Sequence, residues 1–413
     1  MGRYELINQL KVNTEYIKIT NGIIITPYRV VKGAELLIRE GKIEEISEGR
    51  IDVDDVTEIN AGGNFVAPGF IDIHVHGGGG ADFMDNDVDA YLKVAETHAR
   101  YGTTSMVPTT LTSGKSDLLT TLATYAKAKE LNRKGSTFLG VHIEGPYFAM
   151  AQRGAQDPRY IRDPDPAEYL EILEASSDIM RWSAAPERRG ALEFGRVLRS
   201  YGVLPSIAHT DAIYGDVVEA LENGYTLATH FYSAMLGVTR KDAFRFGGAV
   251  EAGYVLDEMD VEIIADGCHL PAELLKLVYR TKGADRIALI TDAMRGAALP
   301  EGRSILGSLH DGLEVVIEGG VAKLPDRTAF AGSVATADRL VRTMVQLGEA
   351  PLTDAVRMAT ATPARILGLS DYKGILAKGK DADIVIFDEQ INVKYTLVKG
   401  REIYRSEREY AVE

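Results

Sequence analysis

Apolar positions along the chain fall into two textures. Near both ends they alternate with polar residues in short runs, the period of a strand with one buried face. Residues 16–20, 22–26, 34–38 and 41–46 read this way, with turns at Asn21-Gly22 and Glu40-Gly41. So do 382–387, 394–398 and 402–404 at the far end. Strand-rich ends around a different middle predict a small β-sandwich domain formed by both chain ends, over 1–67 and 375–413. Two independent edge extensions are the alternative. Over 68–374 the texture changes to near-continuous apolar runs alternating with amphipathic helical patterns. The runs are 70–76, 103–108, 138–144, 182–185, 204–209, 226–230, 261–266 and 286–292. Helical patterns cover 87–101, 116–132, 191–201, 216–223 and 271–282. Strands joined by helical crossovers predict an α/β fold, a (β/α)8 TIM-type barrel. After the last strand, 314–324 predicts a hairpin turning at Gly319-Gly320, and helices at 335–347 and 353–367 close the barrel.

Size and charge narrow the function. A chain of 413 residues has room for a large core and a smaller second unit. Its 46 basic and 60 acidic side chains leave a formal charge of −14. That argues against nucleic acid or an anionic membrane as the partner, and it requires a locally basic pocket for any anionic substrate. The single Cys268 excludes an internal disulfide framework and suits a reducing cytoplasm. The opening MGRYELINQLKVN has no long apolar core, so no signal peptide is expected. No apolar run approaches the roughly 18 residues that span a bilayer.

The candidate chemistry gathers at strand ends. In PGFIDIHVHG, His74 and His76 are two apart on a predicted strand, so both imidazoles lie on one face and can reach one ion. A lone His-x-His is a weak signal, but the other strand ends carry Glu144, His209, His230 and Asp292, with His269 just beyond the seventh. In a barrel these ends share one face, where active sites form. Each residue alone has a plain explanation, such as an ordinary hydrogen-bonded histidine or a helix cap. Together they point to a shared site, because a carboxylate closing an apolar strand needs a partner to stay charged. The donors are imidazole nitrogen and carboxylate oxygen, a set that suits one or two divalent ions. Zn²⁺ is the leading expectation, and Fe²⁺, Mn²⁺ or Co²⁺ are compatible. With such an ion lowering the pKa of water towards about 7, Asp292 is placed to shuttle a proton. The reaction class is metal-assisted hydrolysis. The glycine run 77–80 matches neither GxxxxGK[ST] nor GxGxxG and reads as a tight loop at the site mouth. His98 and His310 receive no role.

PGFIDIHVHG, VHIEGPYF, IAHTDA, ATHFYSAM, IADGCHLP, LITDAM, FAGS and the closing KGKDADI together resemble the amidohydrolase superfamily. More narrowly they are similar to the N-acetylglucosamine-6-phosphate deacetylase family. The resemblance runs from about residue 64 to 384. It implies a barrel with a composite β-sandwich, cytoplasmic and usually homodimeric, that removes acetyl from an amino-sugar phosphate. Motif by motif it implies that Glu144, His209 and His230 form the common metal site, with His74 and His76 matching members that hold a second ion. It implies that Asp292 is the general base and acid and that His269 contacts substrate, with Ser233, Ala234, Gly332 and Ser333 in substrate-binding segments. No lysine lies within the Glu144 strand, unlike relatives that bridge two metals with a carboxylated lysine. Ser233 replaces the family's usual Asn, and Gln156 stands where some members place a histidine that polarises the acetyl carbonyl. Residues 238–246 replace the loop that contacts phosphate, which makes Arg240, Lys241 and Arg245 the phosphate candidates, in some members reaching across a dimer interface. Alternative readings are the same chemistry on another N-acyl substrate, such as N-acetylgalactosamine-6-phosphate, and a catalytically inactive assembly protein.

Overall fold

The computed structural model describes residues 16–406. Its centre is a TIM-type barrel of parallel strands: Phe70–Val75, Thr103–Pro108, Val141–Glu144, Ile179–Ala184, Leu204–Ile207, Leu227–Ala228, Asp260–Ile263 and Ile287–Leu289. The first two pair with each other, and the third to eighth form one parallel series. A bridge between Thr109 and His142 joins second to third, and the Asp292 amide donates to the His74 carbonyl at 2.9 Å, joining eighth to first. The sequence predicts a single run over 138–144, but the chain changes partner there. Leu139 N–H bonds the Met106 carbonyl, while Val141 N–H bonds the Asp178 carbonyl beyond it.

Branched side chains fill the barrel interior, among them Ile71, Ile73, Val107, Leu227, Ile264 and Ile290. The outer faces of the strands meet the helices in a larger cluster that holds Trp182, Phe194, Tyr225 and Leu275. Full burial of one such side chain contributes about 1.5–3 kcal/mol. Helix starts follow the cap chemistry. Asp87 accepts from Asp89 N ahead of Val88–Ala99, and Asp165 accepts from Ala167 N ahead of Pro166–Ala175, a helix the periodicity does not predict. The helix expected over 353–367 is two helices, Leu352–Met358 and Ala361–Ile366. Pro363 has no N–H to give the Ala359 carbonyl, and that carbonyl is taken by Ile71 N–H instead.

Segments from the first and last parts of the described residues enter one eight-stranded sheet. Tyr16–Ile25 sits between Val30–Arg39 and Phe65–Pro68, and Phe65–Pro68 pairs in turn with Ile384–Phe387 from the far end. Ile19, Ile24, Leu36, Val66, Ile384 and Leu397 form its own apolar cluster. After the eighth barrel strand, Gly302–Leu306, Leu313–Glu318 and Val321–Lys323 make a three-stranded flap beside the barrel mouth. The glycine run 77–80 makes a tight hairpin through Gly77–Gly78 and Ala81–Asp82, held by His98 Nε2–H donating to the Gly77 carbonyl at 2.9 Å. The opening residues read for a signal peptide lie outside the described residues. Among the described residues no helix is long and apolar enough to cross a membrane.

Candidate active site

The barrel strands bring six of the predicted side chains to one point. His74, His76 and Asp292 form one group, and Glu144, His209 and His230 another, with the ligand atoms of each group within 4.8 Å of one another. Glu144 joins the two. Its Oε1 lies 2.9 Å from His230 Nε2, 3.5 Å from His209 Nε2 and 3.6 Å from His74 Nε2. Its Oε2 lies 3.5 Å from His76 Nε2. Asp292 Oδ1 faces His76 Nε2 at 3.1 Å and His74 Nε2 at 3.3 Å. His209, His230 and Asp292 take left-handed backbone, with φ of 46°, 33° and 47°, just where their strands turn outward. That conformation costs a non-glycine residue about 1–2 kcal/mol, so three costly turns aim three side chains at one centre.

The donor set fits a divalent cation. His74 Nε2 and His76 Nε2 approach to 3.2 Å, where two ring nitrogens repel unless a proton or cation lies between them. Ligands about 2.1 Å from a tetrahedral ion stand about 3.4 Å apart, close to the spacings from Glu144 to His209, His74 and His76, while His230 stands closer at 2.9 Å. The electrostatics agree. Burial pushes His76 down, but Asp292 and Glu144 outweigh it and carry it up to about 9. Burial keeps neighbouring His74 below its ordinary value, against the opposing pull of Glu144 and Asp292. Burial would raise Glu144, yet electrostatic coupling to His74 and bonds from His209 and His230 hold it well below the usual carboxylate range. Asp292 is likewise lowered, with His74 and His76 overcoming burial.

These groups open onto a cavity of about 310 Å³ whose walls include Gln156, Ser233, Ala234, His269 and Gly332. His269 donates or shares its Nδ1 proton with Asp266 at 2.8 Å and lies against the Phe330 ring at 4.6 Å. Gly332 has φ +64°, and a Cβ there would sit 3.0 Å from the Asp292 carbonyl, so the close wall needs glycine. Gln156 does not hang free in the cavity, because Glu144 Oε2 and the Thr112 amide both bond it. Ser333 lies behind the wall, with its hydroxyl donating to Thr291 O and its amide to Asp292 O. Arg240, Lys241 and Arg245 stand on an exposed hairpin, Thr239–Lys241 with Phe244–Phe246, and do not line the cavity.

Sequence reasoning missed the layer behind the ligands. Asp72 accepts from Thr291 Oγ1 and from the Thr291 and His74 amides, and burial pushes its carboxyl up to about 7. Asp72 is a carboxylate inside an apolar run two residues before His74, so the signal was present. Arg181 and Glu262 form a fully buried ion pair below the site. Charged residues inside apolar strand runs were their only trace. His142, two residues from Glu144, bonds Ser183 Oγ at 2.6 Å and belongs to neither ligand group.

The amidohydrolase family model matches residues 65–403. The chain belongs to the amidohydrolase family. Among relatives of this amidohydrolase, N-acetylgalactosamine-6-phosphate deacetylase from Escherichia coli O157:H7 is 34% identical over 90% of the chain and 98% of its own length. N-acetylglucosamine-6-phosphate deacetylase from Vibrio furnissii is also 34% identical, over 82% of each protein. The solved N-acetyl-D-glucosamine-6-phosphate deacetylase from Mycobacterium smegmatis, a mutant in complex with N-acetyl-D-glucosamine-6-phosphate, superposes with a TM-score of 0.86 at 30% identity. It covers 94% of this chain and 99% of that one.

Proposed function

We propose that this amidohydrolase hydrolyses the N-acetyl group of an amino-sugar phosphate, with N-acetylglucosamine-6-phosphate as first candidate, giving glucosamine-6-phosphate and acetate. The observation that carries this reading is the pair of ligand groups meeting at Glu144 with Asp292 at the cavity wall. Glu144, His209 and His230 would hold one ion, and His74 and His76 a second, with zinc the first expectation. A divalent ion there supplies Lewis acidity that lets water attack an amide near neutral pH. Asp292, kept ionised by its imidazole neighbours, takes a proton from the attacking water and returns it to the departing amine nitrogen. As the new carbon–oxygen bond forms, the amide carbon–nitrogen bond breaks and acetate leaves. Ser333 steadies Asp292 through its backbone, while His269, Ser233, Ala234 and Gly332 shape the wall against the sugar.

The epimer is the second question. The Escherichia coli relative, named for the galactosamine compound, is as similar as the Vibrio furnissii one, which supports N-acetylgalactosamine-6-phosphate as the second reading. We further read the terminal sheet as a composite β-sandwich domain, 1–67 with 375–413, set against the barrel 68–374. Its separate apolar cluster supports that division, and residues 1–15 and 407–413 lie outside the description. A cytoplasmic homodimer is the working state. Acetate release across N-acetylhexosamine 6-phosphates and their unphosphorylated forms tests the function. Release from a phosphorylated epimer is expected, and none from any of them by zinc-loaded protein would overturn it.

A further inference from the structure

His74 presents Nε2 to the site, so a neutral imidazole there must carry its proton on Nδ1. The fully buried Nδ1 has no hydrogen-bond partner within normal reach. The carboxylate that faces it is Glu262, whose Oε2 stands 3.5 Å away. Two of the other histidines meet the same need with a carbonyl, while His230 Nδ1 has no partner either. His76 Nδ1 faces the Thr109 carbonyl at 3.3 Å, and His209 Nδ1 faces the Gln152 carbonyl at 2.8 Å.

Glu262 is itself set in place from behind. Arg181 Nη1 pairs with Glu262 Oε1 and also donates to the Ile73 carbonyl at 3.1 Å, the residue before His74. Arg181 Nη2 bonds Ser206 Oγ and Thr229 Oγ1 at 3.2 and 3.0 Å, tying the pair to the fifth and sixth strands. Glu262 Oε2 also accepts the His230 amide at 3.3 Å, so it touches both ligand groups. Barrel interiors are ordinarily filled by branched apolar side chains, and a buried ion pair stabilises little relative to an apolar replacement. An Arg–Glu pair aimed at a ligand histidine therefore has a use beyond packing.

We propose that Glu262, held by Arg181, is a positioning residue that takes the His74 Nδ1 proton as hydrogen-bond acceptor. It thereby fixes the tautomer and ring orientation that offer Nε2 to an ion. Acceptors behind ligand histidines tune metal affinity 10–100-fold. The inference rests on reading His74 as a ligand, so the test separates the two claims. Zinc affinity is measured by chelator competition in wild-type protein, Glu262→Leu, His74→Ala and the double variant. Glu262→Leu, which leaves no acceptor oxygen, should weaken zinc binding 10–100-fold in the step that His74→Ala also weakens. Added to His74→Ala, it should change affinity less than about threefold, because its target is gone. Equal affinity of Glu262→Leu and wild type, or full additivity in the double variant, overturns the positioning role alone. Unchanged zinc binding in His74→Ala overturns the ligand reading beneath it. If Glu262→Leu does not fold, Arg181→Met with Glu262→Leu removes both charges and takes its place in the same comparison. Failure of that variant too would assign the pair to the barrel core and overturn the proposal.

Discussion

Gln156 joins two groups at once: its Nε2 donates to Glu144 Oε2 at 2.8 Å, and its Oε1 accepts the Thr112 amide at 2.8 Å. The sequence places Gln156 among substrate contacts, and the side chain both lines the cavity and bonds the carboxylate that faces the two groups. Gln156→Leu is expected to lower zinc affinity or turnover about 10–100-fold, as loss of a bond behind a ligand does. Zinc competition and steady-state kinetics distinguish the roles. A higher KM with unchanged zinc affinity would return Gln156 to substrate contact alone.

Asp292 carries the proton traffic in the proposed reaction. Asp292→Asn keeps the shape and one acceptor oxygen but cannot take a proton. Turnover should fall about 10²–10⁴-fold while bound zinc stays near wild type. Near-normal kcat with zinc content confirmed would remove Asp292 from the shuttle.

The barrel and the side chains gathered at its strand ends were legible because their signals are local. Apolar runs mark strands, and His or carboxylate residues at the ends of such runs stand out against them. The elements that escaped depend on distant partners. Whether Glu262 inside the seventh strand is a core error or a buried anchor turns on Arg181, 81 residues away. Leu227–Ala228 pairs over only two residues before His230 turns out of the barrel, so the strand expected over 226–230 is mostly loop. Phe244 is 73% exposed on its hairpin, so apolar alternation there signals no buried face. The break before Pro363 was readable from the proline, but only Ile71 N–H explains why the Ala359 carbonyl tolerates it.

Where the terminal sheet meets the barrel, Lys373 is buried against Asp383 and, at 3.1 Å, Asp381. Burial lowers the Lys373 pKa, but Asp383 and Asp381 outweigh it and raise it. Burial raises Asp381, but Lys42 and Lys373 outweigh it and lower it. The raised lysine contributes stability that is complete below its ordinary value near 10.4 and is lost as pH climbs through the folded value. The lowered aspartate contributes stability that is complete above about 3.9 and is lost as pH falls through its folded value. Lys373→Met should therefore cost about 3 kcal/mol across the neutral range. The gap from wild type should narrow in acid below about pH 4. Guanidinium unfolding at pH 7 and pH 3.5 checks both, and a gap independent of pH would rule out the charge contribution.

The phosphate presents the last problem, because a chain of charge −14 must admit an anion. The cavity wall beside the ligand groups carries no lysine or arginine among the described residues. The nearest basic cluster after His230 in the chain is Arg240, Lys241 and Arg245, exposed on the hairpin with Phe244 and Phe246. An exposed hairpin that carries basic and aromatic side chains is suited to reach the mouth of a second copy. Arginine gives phosphate paired N–H bonds and lysine a point charge. Hydrogen bonds to charged groups contribute about 1.5–3 kcal/mol each. Replacing all three by glutamine should thus raise KM for the phosphorylated substrate about 10-fold or more, with little effect on the unphosphorylated sugar. Mixing this variant with Asp292→Asn protein tests whose hairpin serves which site, since a shared site recovers low KM in part of the mixture. An equal rise in KM for both sugars, or none for either, would place the phosphate away from the hairpin.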